Sequence, residues 1–294
     1  MKSGVKRTTP YKVISIIILV ILAILFLFPL YWIVTGAFKP TTDIYASQPV
    51  WWPSEWVTSN FEKLFTKRSA PLFEIGALVG PTVPAAIRWL VNTVFMSVAA
   101  MLLTCITAAM AGYALAKKRF VGRTLLFSLI ICAMALPKQV ILIPLLKEMS
   151  ALKLYGSLWA VIFPTVGWPF GVFLMKQFCE SVPGEMLEAA RIDGASEART
   201  FTQIVVPLIK PGIGALAIFT FFNSWNDYFM QLVMLPNSAN FTISLGIATL
   251  QGESSVDTGL LMSGAALAAV PIIVVFLIFQ KYFTQGITMG AVKG

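Results

Sequence analysis

The chain has 294 residues, 57% of them hydrophobic and only 12% charged, with a mean hydropathy of +0.81. Soluble domains carry about 25% charged residues, so the composition excludes an ordinary water-soluble protein and makes lipid the solvent for much of the chain. The net charge of +9 is read as a membrane-topology signal and not as nucleic-acid binding, because the basic residues concentrate in particular loops.

In chain order, the first apolar run covers about 13–35, behind Lys2, Lys6, Arg7 and Lys12. It exceeds the 7–15 residues of a signal core, and Phe28-Pro29-Leu30-Tyr31-Trp32 offers an aromatic interfacial belt, so it reads as a retained first helix. Residues 36–88 follow, rich in Trp, Pro and Thr, either a partly ordered external cap or a connector. Further uncharged or nearly uncharged runs cover about 89–116, 124–146 (interrupted at Pro137-Lys138), 154–175, 212–235 and 258–279. Each is about the length needed to span a ~30 Å hydrocarbon core. The expectation is an all-α integral membrane protein with six transmembrane helices in one domain, 1–294.

Six crossings place both termini on one side. The N-terminal tail, the Lys117–Arg123 loop, the 176–210 loop, Lys281 and Lys293 hold 14 of the 22 Lys and Arg, so termini and loop are expected to be cytoplasmic. The chain has no histidine, which removes the commonest general base and metal ligand. Cys105, Cys132 and Cys179, odd in number, read as small hydrophobes and not as a disulfide or metal set. No catalytic or metal-binding residue is assigned.

The 176–210 loop is the most specific part of the chain. Pro183 suits a first helical turn, Glu185 places an anion near the positive helix end, and Met186 through Arg191 are strong helix formers. Gly194 then supplies a stop. Such a helix, about ten residues long, is too short to stand alone. Ala189 and Ala190 would let another backbone approach, with Glu188, Arg191 and Asp193 as charged contacts around them. Ser196 is placed to cap a second helix running through Thr200 and Ile204 toward Pro207 and Pro211. These residues alone leave two readings open: a docking helix, or an amphipathic helix lying at the membrane surface.

The spacing Glu188-Ala189-Ala190, three residues, Gly194, nine residues, Ile204, one residue, then Val206-Pro207 resembles the signature of inner-membrane permease subunits of binding-protein-dependent ABC importers. The family usually has Leu where Val206 stands. Asn92-Thr93, Tyr113-Ala114-Leu115-Ala116, Ser224-Trp225-Asn226-Asp227-Tyr228 and the ending Gly286 through Gly294 resemble the carbohydrate branch, in particular the shorter permease of maltose-type transporters. The resemblance implies the type I importer permease fold and import of a sugar or oligosaccharide through the plasma (inner) membrane. It implies as partners a second homologous permease subunit, two ATPase subunits and an external solute-binding protein. Glu188, Ala189, Ala190 and Gly194, with Arg191 and Asp193 beside them, would couple the chain to an ATPase. ATP and Mg would reside on those ATPase subunits: this chain has no Gly-rich Lys-Ser/Thr phosphate loop, binds no cofactor of its own and is not an enzyme.

Charged side chains inside spans usually mark a pathway or an internal pair. Lys138 and Asp227 fall at similar depth, so a pair is geometrically possible, while snorkelling of each to the external interface is favoured. Asn223, Trp225, Asn226 and Gln231 carry hydrogen-bonding and stacking groups that suit a sugar, while Trp225 reads equally as an interfacial anchor and Asn223 as a bond across helices. With Lys138 and Asp227, the first three form the expected substrate path. Competing classes are the same architecture for a non-sugar solute and an ion-coupled secondary transporter, which usually shows internal repeats.

Overall fold

The computed structural model describes residues 10–75, 78–251 and 257–291. The basic Lys2, Lys6 and Arg7, the loop residues 252–256 and the terminal Val292-Lys293-Gly294 lie outside them. The described chain is mainly helical: α1 Pro10–Ala37, α2 Thr41–Ile44, α3 Ser59–Thr66, then two short antiparallel ladders. In these, β1 Ser69–Pro71 pairs with β4 Thr82–Pro84, and β2 Glu74–Ile75 with β3 Leu78–Val79. There follow α4 Ala85–Lys117, α5 Arg123–Met134, α6 Lys138–Ala151, α7 Trp159–Val166, α8 Pro169–Glu180, α9 Gly184–Ile192 and α10 Glu197–Thr200. A π-turn Phe201–Val205 leads to α11 Val206–Leu208, α12 Lys210–Asn226, α13 Tyr228–Met234, α14 Ile243–Gln251 and α15 Thr258–Ala291.

Among the described residues four helices are long and apolar enough to cross a membrane, or up to six if each bent pair is one crossing. Two expected spans are interrupted. The third is bent by 109° between α5 and α6, where a proline disfavours the helical conformation at the residue before it and Pro137 itself is extended, ψ 131°. The twelve residues of α5 rise only about 18 Å, so α5 alone does not reach across. The fifth ends at Asp227 (φ −77°, ψ 66°), where α12 stops and α13 begins. The fourth comprises α7 and α8 over 159–180, five residues later than expected.

The chain divides into two compact units, residues 1–68 with 249–267, and residues 69–248 with 268–294. In the first, α1 exposes apolar side chains from Val13 through Phe28 and buries only Thr35, Gly36 and Ala37, the surface of a helix solvated by lipid. Residues 39–60, part of the segment expected to be external, are tied down by specific contacts. Tyr31 OH donates to Trp51 O at 2.5 Å, and Lys39 Nζ donates to Val50 O at 2.5 Å while lying 4.0 Å from the centre of the Trp32 ring. Buried Asn60 anchors this segment, its side-chain amide donating to Ala37 O and Lys39 O and its backbone carbonyl accepting from Ser263 Oγ.

The second unit is built on α4. Its buried residues recur every three or four positions, from Trp89 through Asn92, Met96, Ala100, Thr104, Ala108 and Gly112, one face of a helix. The small residues of that face meet α8. A Cβ on Gly112 would lie 2.7 Å from Lys176 N and Met175 C, and one on Gly171 would lie 3.2 Å from Ala108 Cβ and Thr104 Cγ2. At the start of α4, Trp89 Nε1 donates to Ser238 O, Asn92 Nδ2 to Ala239 O and Phe241 O, and Thr93 Oγ1 accepts from Ile243 N. The Asn92-Thr93 pair therefore fastens the approach to α14. Gly246 leaves room for the Trp89 indole, which would lie 2.1 Å from an added Cβ.

Gly112→Val must push α4 and α8 apart, since the atoms it would meet are backbone. Overpacking of this kind costs about 1–3 kcal/mol. The expected result is a lowered unfolding temperature in detergent, with Gly184→Ala, which faces open space, as the control that leaves it unchanged.

Candidate functional site

The Glu188 loop folds as its sequence dictates. Pro183 is the extended N-cap of α9 (ψ 134°), and Gly194 takes φ +73° just past its end. There Ala195 N–H donates to Ala190 O at 2.9 Å and Gly194 N–H to Arg191 O at 3.1 Å. This reciprocal pair of bonds is the Schellman closure, which needs a left-handed residue and so favours glycine. Ser196 Oγ accepts from Arg199 N–H at 3.3 Å and caps α10. The π-turn Phe201–Val205 ends two residues before Pro207. Pro207 has no N–H to donate and its ring crowds the carbonyl four residues back, which accounts for the local widening. The segment 197–208 then meets 210–226 at 77°.

The faces of α9 are sorted. Leu187 and Ala190 are buried, Leu187 in a cluster with Cys105, Ala109, Tyr113, Met175, Cys179, Val182, Val205, Ile209 and Leu216. Glu188, Ala189, Arg191, Asp193 and Gly194 are exposed. Ala190 thus departs from the expectation of a contact offered to another protein: its small side chain lets α9 settle onto its own chain. Two apolar residues that the sequence reading passed over face outward, Met186 and Ile192, the latter 87% exposed. The signal was available, because Met186, Ala189 and Ile192 recur at a spacing of three and share a helix face.

Both ends of this loop meet the end of α4. Lys117 Nζ donates to Glu180 O at 3.1 Å and to Val182 O at 2.6 Å. Lys118 Nζ forms an ion pair with Glu197, whose Oε2 also accepts from Tyr113 OH at 3.2 Å. Arg191 Nη2 lies 3.9 Å from Glu197 Oε1. The hydrogen bond from Lys118 holds the Glu197 carboxyl below the usual carboxylate range against the opposing effect of its partial burial, and the Lys118 charge, the Tyr113 hydroxyl and the Arg191 charge add to it.

A second candidate region is a cavity of about 260 Å³ lined by Thr104, Lys138, Thr165, Trp168, Thr220 and Asn223 together with apolar residues. Lys138 Nζ stands 3.2 Å from Asp227 Oδ2 and 4.8 Å from the centre of the Trp168 ring. The two charges therefore pair, in contrast to the favoured expectation that each snorkels alone. Asp227 Oδ1 meanwhile accepts from Met230 N–H and caps α13, so one carboxylate closes the break it sits in. Of the other expected path residues only Asn223 lines the cavity. Asn226 is exposed and donates to Phe222 O. Trp225 is buried against Phe221, with no partner for Nε1 among the described residues. Gln231 is buried too, donating to Ser224 O and accepting from Thr242 Oγ1 at 2.5 Å. Trp225 and Gln231 are core residues here. Thr104, Thr165, Trp168 and Thr220 were not anticipated, and Thr104 Oγ1 is buried without a partner among the described residues.

The profile of the family described as binding-protein-dependent transport system inner membrane component matches residues 107–289. The arabinooligosaccharides transport system permease protein AraQ of Halalkalibacterium halodurans is 33% identical over 275 residues, 93% of each chain. Its namesake in Bacillus subtilis is 32% identical over 284 residues, 97% of this chain and 96% of that one. Among solved structures, a chain of a bacterial ABC transporter involved in the import of the acidic polysaccharide alginate superposes with a TM-score of 0.75 at 20% identity. That alignment covers 96% of this chain and 100% of the other, a likeness of fold.

Lys138→Met or Asp227→Asn alone leaves a partly buried charge without its partner. Each is expected to lower stability in detergent by about 1–3 kcal/mol, with the double variant losing less than the sum. A thermal-unfolding double-mutant cycle measures the coupling, and strict additivity would show that the two side chains do not interact.

Proposed function

The chain belongs to the family of inner membrane components of binding-protein-dependent transport systems, and from that premise we propose how its parts work. It is the membrane-spanning permease subunit of an ATP-driven importer that carries a sugar or oligosaccharide handed over by an external binding protein. It is not itself an enzyme: ATP and Mg belong to separate ATPase subunits. The arabinooligosaccharide permeases that resemble it nearly end to end support the sugar class. We assign one permease domain with six crossings in the plasma membrane, counting each bent pair as one, with both termini cytoplasmic. Its partners are a second homologous permease subunit, two ATPase subunits and the binding protein.

The observation that carries the mechanism is the sorting of α9. Leu187 and Ala190 turn inward, while Glu188, Ala189 and Ile192 stay exposed beside Arg191 and Asp193. In this reading the outer face seats on an ATPase subunit and the Gly194 closure fixes its angle. When the ATPase pair closes, α9 moves with it. Its apolar underside and α10 carry the displacement into α4, α8 and α12, and the cavity alternates between the two sides of the membrane. Lys138, Asp227 and Asn223 line or brace the sugar path, with Thr104, Thr165, Thr220 and Trp168 supplying hydroxyls and a stacking face. Asn226 and Trp225 act only through the packing of α12.

Vanadate is expected to block uptake, whereas an ionophore leaves it unchanged; the reverse pattern would mean an ion-driven carrier. Glu188→Lys changes a charge on the docking face. Gly194→Leu forces a branched side chain into a left-handed position at a cost of about 1–2 kcal/mol. Each should lower uptake by about 5- to 150-fold, the usual span of coupling between sites, while membrane insertion persists. Undiminished uptake in both variants would overturn the docking assignment.

A further inference from the structure

The loop that carries α9 is fastened at both of its ends by two adjacent residues at the end of α4. Lys117 grips the start of the loop, taking the carbonyls of Glu180 and Val182 left free where α8 stops. Such carbonyls have no partner within the helix, and a cation there also meets the negative end of its dipole. Lys118 grips the far side, through the ion pair to Glu197 at the first position of α10. Glu197 is a node. The Oε2 that pairs with Lys118 also accepts from the hydroxyl of Tyr113, one helical turn before Lys117, whose ring centre lies 5.3 Å from that of Phe201 in the π-turn, while Arg191 of α9 faces Oε1. Lys118 in turn lies 5.1 Å from the centre of the Tyr113 ring.

Neither Glu197 nor Lys117-Lys118 is part of the Glu188–Pro207 spacing that marks the loop. Resting on the proposed function above, we infer that Lys117, Lys118 and Glu197 form a clamp that makes the loop and α4 move as one body. Lys118 and Glu197 are the positioning residues that convert motion of α9 into motion of the core helix. The chemistry favours this over a merely solvated charge group. A single exposed ion pair contributes little, but here one carboxylate receives a lysine, a tyrosine hydroxyl and an arginine from two different elements, and a bridging network fixes geometry where separate pairs would not. The clamp closes the loop at both ends, so α9 cannot swing about Pro183 or Gly194 without carrying Tyr113 and Lys117 along.

The test uses the full transporter, co-expressed with its partners and reconstituted in liposomes, with uptake and ATP hydrolysis measured together. Glu197→Gln and Lys118→Met should leave assembly and hydrolysis intact. Each should reduce sugar moved per ATP by about two- to thirtyfold, the range in which residues between two sites modulate coupling. The charge swap Lys118→Glu with Glu197→Lys should restore most of that ratio. An unchanged ratio in both single variants, or loss that the swap does not repair, would overturn the clamp. Glu188→Lys run alongside separates the two ideas: if it uncouples while the clamp variants do not, the docking reading stands and the clamp falls. If Glu188→Lys also leaves coupling intact, the docking reading falls with it. As a second measurement, Lys118→Cys with Glu197→Cys in a Cys132→Ser background is joined by a short bifunctional thiol reagent. Because the clamp stays closed through the cycle, uptake should survive the cross-link, and its abolition would show that the contact must open.

Discussion

In lipid two helices gain nothing by hiding apolar surface from water, so α4 and α8 are held by how closely their backbones approach. Gly112 sits against the backbone of Met175 and Lys176, and Gly171 against Ala108 and Thr104. At Gly112 the nearest atoms are backbone, so a side chain of any size there displaces a helix, whereas at Gly171 the side chains of Ala108 and Thr104 would have to give by a few tenths of an ångström. The position of α8 along α4 is fixed by this fit, and much else follows from it. Glu180 and Val182 come within reach of Lys117, the buried underside of α9 finds the cluster around Met175 and Cys179, and Leu216 of α12 packs beside Gly171.

The same constraint explains where the helices break. Backbone groups at membrane depth need partners within the protein, so an interrupted helix is tolerated only where side chains or a cavity replace the lost bonds. Asp227 does this directly, capping α13 with one oxygen and holding Lys138 with the other. Lys138 follows Pro137, at the sharp bend between α5 and α6. One ion pair beside the cavity thus ties together two breaks in separate elements. A carboxylate and an ammonium that would each be costly at that depth satisfy one another. The cavity keeps a polar group besides the pair, because Thr104 Oγ1 has no partner among the described residues.

What could be read from the sequence was what local chemistry decides. The α9 helix, its stop at Gly194 and the Ser196 cap depend on residues within a few positions of one another, and all three form as composition and spacing require. The apolar runs of α1 and α4 are legible for the same reason. Which side of a helix faces inward is a tertiary property. Ala189 and Ala190 are chemically identical, yet only Ala190 is buried. Trp225 and Gln231 carry groups that suit a sugar but are claimed by the core. The Lys138–Asp227 pair joins residues 89 apart, and equal depth along two spans does not by itself say that they share a face. The bend at Pro137 was marked in sequence by the proline, but a kink and a 109° turn are written identically there.

Strength and direction in the loop come from different interactions. Burying Leu187 and Val182 in the apolar cluster is worth about 1.5–3 kcal/mol for each side chain of that size, whereas exposed ion pairs such as Arg191–Glu197 contribute about 0–1 kcal/mol. Apolar contacts are not directional, so they would hold α9 against the bundle while letting it roll. The polar contacts remove that freedom: hydrogen bonds from Lys117 to two specified carbonyls and the shared carboxylate of Glu197 accept one orientation only. In the proposed docking, a force on the exposed face of α9 is resisted by burial and steered by the lysines. The loop is thus attached by interactions that are strong but non-directional, and oriented by ones that are weak but directional.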